Sequence, residues 1–232
     1  MQLKIENIHK SFGSGDSRTE VLKGISCTVD SGSICVLLGP SGSGKSTLLN
    51  IIGGIETADE GSISIGDDKI EGMSEKKLSL YRRKHLGYVF QAYNLVPDLT
   101  VKENIEVGAY LSDNPMNIDE ILNLLGLWDH RNKMPNQLSG GQQQRTSIGR
   151  AVIKRPDILL CDEPTGALDY QTSKDILKLI EEVNRTCGNT VVMVTHNDAL
   201  KHMADRVIRL RDGAVRSNKI NEAKVAAADL DW

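Results

Sequence analysis

The sequence predicts an α/β fold: a core with a mainly parallel sheet, an N-terminal antiparallel β subdomain and an inserted α-helical subdomain. Three observations lead there. Apolar runs at 34–38, 158–161 and 191–194 have the unbroken hydrophobicity of strands covered on both faces. Helical patterns alternate with these runs, the arrangement that builds a parallel sheet with helices on both sides. From about residue 95 to 151 the pattern is helical throughout, which interrupts the alternation and marks an insertion.

The elements follow in order. Residues 3–8 alternate apolar and polar, as a half-buried strand does, and the polar, glycine-containing stretch 13–19 reads as a turn or exposed loop. Residues 21–29 form another strand. The run 34–38 leads through glycines and serines into helical character over 45–52, carried by Leu48, Leu49, Ile51 and Ile52. Residues 61–66 alternate again and fit a short antiparallel strand. In the helical middle, Ile118, Ile121, Leu122 and Leu125 share one face, and Gly126 is placed to stop that helix. Between the two later strands, Thr172 is read as the cap of a helix whose buried stripe includes Ile176, Ile180 and Val183. After Gly213 periodicity is lost, and 225–232 reads as a loosely held tail.

Composition narrows the function classes. The chain has 232 residues, 39% hydrophobic and 25% charged, which fits one folded soluble domain and argues against disorder. A net charge of −3 argues against a dedicated nucleic-acid binder. The longest apolar run, 34–38, falls far short of the roughly 20 residues needed to span a bilayer. Charges at Lys4 and Glu6 occupy the place of a signal peptide's apolar stretch, so the chain is expected to stay in the cytoplasm. Any membrane role then runs through a partner. Cys27, Cys35, Cys161 and Cys187 lack metal-site spacing and read as reduced, mostly buried thiols.

Three motifs carry chemistry. Gly39-Pro40-Ser41-Gly42-Ser43-Gly44-Lys45-Ser46 fits G-x-x-x-x-G-K-[ST] between an apolar strand and a helix. The glycines let backbone N–H groups turn inward around phosphate oxygens, and the helix adds the positive end of its dipole. Lys45 is expected at the β- and γ-phosphates, Ser46 on Mg²⁺, and Thr47 at a further phosphate contact. The second motif is the apolar strand 158–161 ending in Asp162 and Glu163. Neighbouring side chains at a strand end diverge, so Asp162 is assigned to Mg²⁺ and Glu163 to polarising the attacking water. The third is Leu138-Ser139-Gly140-Gly141-Gln142 before a helix, a second N-terminus suited to an anion.

With these strings in order, the sequence resembles the nucleotide-binding subunit of an ATP-binding cassette (ABC) transporter, with a P-loop NTPase core, over nearly its whole length. Also matching are Phe12, Tyr88-Val89-Phe90-Gln91, Gly166-Ala167-Leu168-Asp169 and Val194-Thr195-His196. The resemblance implies two copies paired head to tail, each ATP closed between one phosphate loop and the other copy's Ser139, Gly140, Gly141 and Gln142. It implies adenine stacking for Phe12, Mg²⁺ and water contacts for Gln91, interface organisation for Asp169 and a γ-phosphate sensor in His196. His9, His85, His130 and His202 are left as plain surface residues. Cys161 and Gly166 replace the Ala and Ser that relatives often carry, and neither removes a catalytic group.

The segment 90–104 and the PTGALD string resemble one branch: macrolide exporters, lipoprotein-release complexes, a cell-division complex of the same type and antimicrobial-peptide transporters. This implies an ATPase at the cytoplasmic face of the membrane driving a permease, with 92–104 as the cup for a permease helix. The alternatives are a nucleotide-dependent regulator in a sensing or cell-division complex and a soluble ABC ATPase. The expected partition is a core with its β subdomain over 1–92 and 150–213, a helical subdomain over 93–149 and a tail over 214–232, with no extra regulatory domain.

Overall fold

A computed structural model describes residues 1–231; Trp232 lies outside the described residues. Two sheets and six α-helices form three layers among the described residues. The central sheet has strand order β10-β9-β3-β8-β7-β6, built from β3 (Ile34–Leu38), β6 (Leu86–Val89), β7 (Ile158–Asp162), β8 (Thr190–Thr195), β9 (Arg206–Arg211) and β10 (Ala214–Ile220). All neighbours in it are parallel except β9 and β10. The second sheet is antiparallel, in the order β2-β1-β4-β5, from β1 (Leu3–Phe12), β2 (Thr19–Val29), β4 (Glu60–Ile65) and β5 (Asp68–Lys69).

The central strands alternate between two cores, as a doubly covered sheet requires. Ile34, Val36, Leu159, Cys161, Val191 and Met193 face one core, which they share with α3 (Val101–Ala109), α4 (Ile118–Leu124), α5 (Gly140–Val152) and α6 (Tyr170–Cys187). Cys35, Leu37, Ile158, Leu160, Val192 and Val194 face the other, shared with α1 (Lys45–Ile52) and the antiparallel sheet. The phosphate-loop strand β3 and the acidic strand β7 both pair with β8, which brings their C-terminal ends to one edge.

Several expectations need correction. Thr172 is not the cap of α6. The helix starts three residues earlier than a Thr172 cap would place it, and Asp169 caps it, accepting from Thr172 N (3.0 Å) and Thr172 Oγ1 (2.6 Å). Residues 214–220 are no tail: they form β10, paired with β9. The end of the chain is anchored too, with Ala227 and Leu230 buried in the helical-side core and Ala227 N–H donating to Glu181 Oε2 at 3.1 Å. His85 is no surface residue. It ends α2 (Glu75–His85), is 1% exposed, and holds Asp157 Oδ2 at 2.5 Å and Asp68 Oδ2 at 2.8 Å. The cysteines are free thiols, three buried and Cys187 half-buried.

Candidate functional site

The loop between β3 and α1 folds as it does because of its glycines. A Cβ on Gly39 would lie 2.3 Å from the Leu210 carbonyl oxygen, so only glycine fits. Gly44 caps α1 with φ 95°, a left-handed position that side chains avoid. Lys45 then folds back over the loop, its Nζ donating to the carbonyl oxygens of Gly39 (2.8 Å) and Pro40 (2.9 Å). Lys45 is 7% exposed, and these two hydrogen bonds make its burial tolerable. It is thereby held beside the positive end of α1.

Asp162 closes β7 opposite the first turn of α1, where Ser46 Oγ donates to its Oδ1 at 3.1 Å. Burial pushes the Asp162 carboxyl above its usual range, partly opposed by the Ser46 hydrogen bond. Glu163 follows with φ 48°, its N–H donating to the Val194 carbonyl (3.0 Å) and its carbonyl accepting from Gly166 N–H (3.0 Å). That turn separates the two carboxylates. Asp162 stays on Ser46, while the Glu163 carboxylate meets His196 Nδ1 at 3.1 Å from Oε1 and 3.0 Å from Oε2.

These groups line one cleft of about 450 Å³, together with Val21, Ser41, Gly42, Gly44, Thr47 and Gln91. Gly39 and Pro40 support Lys45 from below, and the Ser43 hydroxyl is buried with no protein partner. The cleft does not include every expected residue. Phe12 ends β1, 43% exposed, with Lys10 Nζ 5.2 Å from its ring centre. Ser139, Gly140, Gly141, Gln142 and Asp169 also lie outside the lining.

Ser139 caps α5 through a reciprocal pair: its Oγ accepts from Gln142 N (3.3 Å), and Gln142 Oε1 accepts from Ser139 N (3.0 Å). The Asp169 carboxyl, capping α6, is held below the usual range by the Thr172 hydroxyl and backbone N–H. The loop after Gln91 is tied to the same helix. Tyr93 and Asn94 have φ 58° and 49°, and Arg150 of α5 donates to their carbonyls at 3.0 and 2.6 Å.

Two residues of this region were not singled out from sequence. Asn104 is fully buried and ties together the turn 96–100. His130, read as a surface residue, is half-buried with Nε2 3.1 Å from Gln142 Nε2. An isolated Asn or His gives no signal of this kind, since each acts through contacts that only the folded loop creates.

The family profile for ABC transporters matches residues 22–166. An ABC transporter ATP-binding protein of Mycoplasma pneumoniae is 42% identical over 99% of this chain and 50% of its own length. The bacitracin export ATP-binding protein BceA of Halalkalibacterium halodurans is 41% identical over 92% of this chain and 86% of its own. A solved dimeric ATP-binding cassette, in a post-hydrolysis state bound to ADP and phosphate, superposes with a TM-score of 0.85 at 37% identity, covering 94% of this chain and 98% of that one. The fold and the phosphate-loop cleft therefore place the chain in a defined class of ATP-binding cassettes, and it belongs to the ABC transporter family. It spans about half the length of the Mycoplasma relatives it matches.

Proposed function

We propose that this chain is the ATP-hydrolysing subunit of an export-type ABC complex. It pairs head to tail with a second copy around two ATP molecules and drives a membrane permease from the cytoplasmic face. One observation carries the reading: Lys45, Ser46, Gln91, Asp162, Glu163 and His196 converge on a single cleft past the ends of β3, β6, β7 and β8. The bacitracin-export relative supports the branch expected from 90–104. Among the described residues no helix is long and apolar enough to cross a membrane.

In this mechanism the backbone N–H groups of 41–44 and Lys45 Nζ hold the phosphates, with Lys45 exchanging its two carbonyl partners for phosphate oxygens. The donor set fits Mg²⁺. Ser46 hydroxyl, Asp162 carboxylate and Gln91 amide offer only oxygen ligands, and among the described residues no His/Cys/Asp/Glu cluster could hold a metal alone. Few protein ligands beside substrate phosphates is the usual arrangement for that ion. When bound, Mg²⁺ would neutralise developing phosphate charge. Glu163 accepts the proton of the attacking water, and His196 both orients that carboxylate and meets the γ-phosphate. The signature residues Ser139–Gln142, outside their own chain's cleft, close the ATP held by the second copy, and Asp169 lies at that interface. Phe12 stacks on adenine.

The test is Glu163→Gln. ATP should still bind and a stable dimer should accumulate, while steady hydrolysis falls by at least about 100-fold, the scale of a lost general base. Near-normal turnover by this variant would remove Glu163 from the role.

A further inference from the structure

The signature's Gln142 has both ends of its side-chain amide committed. Its Oε1 accepts from the Ser139 backbone N–H at 3.0 Å. A backbone N–H can only donate, so this contact fixes which end of the amide is oxygen. The other end, Nε2, faces His130 Nε2 at 3.1 Å. An amide NH₂ can also only donate, so the ring nitrogen facing it must accept. His130 is therefore neutral and carries its proton on Nδ1, an atom that is buried and without a protein partner. The alternative, a proton on Nε2, would set two donors against each other or turn the amide over and lose the Ser139 N–H bond, one half of the reciprocal cap of α5.

The turn bearing His130 is itself held by the start of α3. Val101 and Lys102, the first residues of α3, donate their N–H groups to the carbonyls of Lys133 and Arg131 at 2.9 Å each. His130 thus lies between the start of α3, which borders the 92–104 segment, and the first turn of α5.

We propose that His130 is a positioning residue for the signature: its neutral ring holds Gln142, and with it the Ser139 cap, in the orientation that closes on a second copy's ATP. This rests on the dimer reading above. No carboxylate competes for the ring: none lies within 4 Å of it among the described residues. Arg131 is engaged by the Trp128 ring and carbonyl, and Arg145 by the Leu125 carbonyl.

Two measurements test it on the full chain. Long-range ¹H–¹⁵N spectra, with the His130 signals assigned by their loss in His130→Gln, should show the Nδ1–H tautomer at pH 7.5. An Nε2–H tautomer would overturn the contact outright. In the Glu163→Gln background, ATP-driven dimerisation is followed by light scattering at pH 7.5. Adding His130→Phe should weaken the dimer about fivefold, one hydrogen bond's worth. Adding His130→Gln, which restores an amide oxygen acceptor, should keep the tight dimer. Fluorescent-ATP binding to the monomer should be the same in all three. Equal dimerisation by the Phe and Gln variants would overturn this inference alone; absence of any ATP-driven dimer would overturn the dimer reading and this inference with it.

Discussion

Asn104→Ala should cost far more stability than the loss of one polar side chain normally does. Asn104 is 0% exposed, and its amide organises a whole turn. Its Oδ1 accepts from Val96 N–H at 2.8 Å, and its Nδ2 donates to the carbonyls of Val96 (3.1 Å), Leu99 (2.8 Å) and Thr100 (3.1 Å). Two hydrogens serve three carbonyls, so the side chain makes about three effective hydrogen bonds, each worth about 1 kcal/mol net. Truncation also leaves the Val96 N–H without its acceptor. The expected loss is about 3 kcal/mol, read as a lowered urea midpoint at unchanged m-value, with hydrogen exchange at Val96 accelerated before other amides. Asn104→Asp should be at least as damaging, because a carboxylate keeps the Val96 bond but opposes three carbonyl oxygens. A loss below about 1 kcal/mol for Asn104→Ala would show that the turn 96–100 is held by something other than this amide.

Two further outcomes follow from the charged groups. Burial raises the Asp162 carboxyl, so its ionised form destabilises the folded chain at neutral pH. Asp162→Asn should therefore raise Tm at pH 7 while abolishing Mg²⁺-dependent hydrolysis; an unchanged or lowered Tm would contradict the burial argument. Asp30, Glu56, Asp68 and Asp198 are held below the usual carboxylate range chiefly by hydrogen bonds from Arg206, Lys10, Lys84 and Lys201. A depressed folded value gives stability that is complete above the unfolded-state value near 4 and is lost as pH falls through the folded value. Urea midpoints should thus drop below about pH 4, and equal midpoints at pH 3 and pH 7 would refute the assignment.

What was legible in the sequence was what one local stretch must do by itself. The phosphate loop needs glycine at fixed offsets, and β3, β7 and β8, covered on both faces, cannot avoid unbroken apolar runs. The illegible parts share a different cause. In α2 only Leu78, Tyr81 and His85 are buried, too few to mark a helix among the charges of 75–85. Strand β10 is the sheet edge and β9 lies next to it. There only Ile208 and Leu210 are buried, and arginines fill the remaining positions of 206, 209 and 211. His85 depends on Asp157, 72 residues away, so no periodicity could announce it. The cap of α6 was misassigned because Asp169 and Thr172 are both good cap residues; the backbone places Asp169 at the extended position and Thr172 as its donor.

Glu163 shows why the site needs the whole sheet and not the motif alone. A non-glycine residue at φ 48° costs about 1–2 kcal/mol and persists only where its surroundings insist on it. The insistence comes from both sides: Val194 of β8 takes its N–H, and Gly166 donates to its carbonyl. The first bond extends the β7–β8 ladder one residue past Asp162, and the second closes the turn that follows. Between them they rotate Glu163 off the line of Asp162 and towards His196, which leaves the end of β8 itself two residues after Val194. The same strand thus sets both the strained backbone of the carboxylate and the position of its imidazole partner. Two acids adjacent in sequence take separate tasks because the backbone between them turns, and that turn is held by β8 and Gly166 together, not by the acidic strand alone.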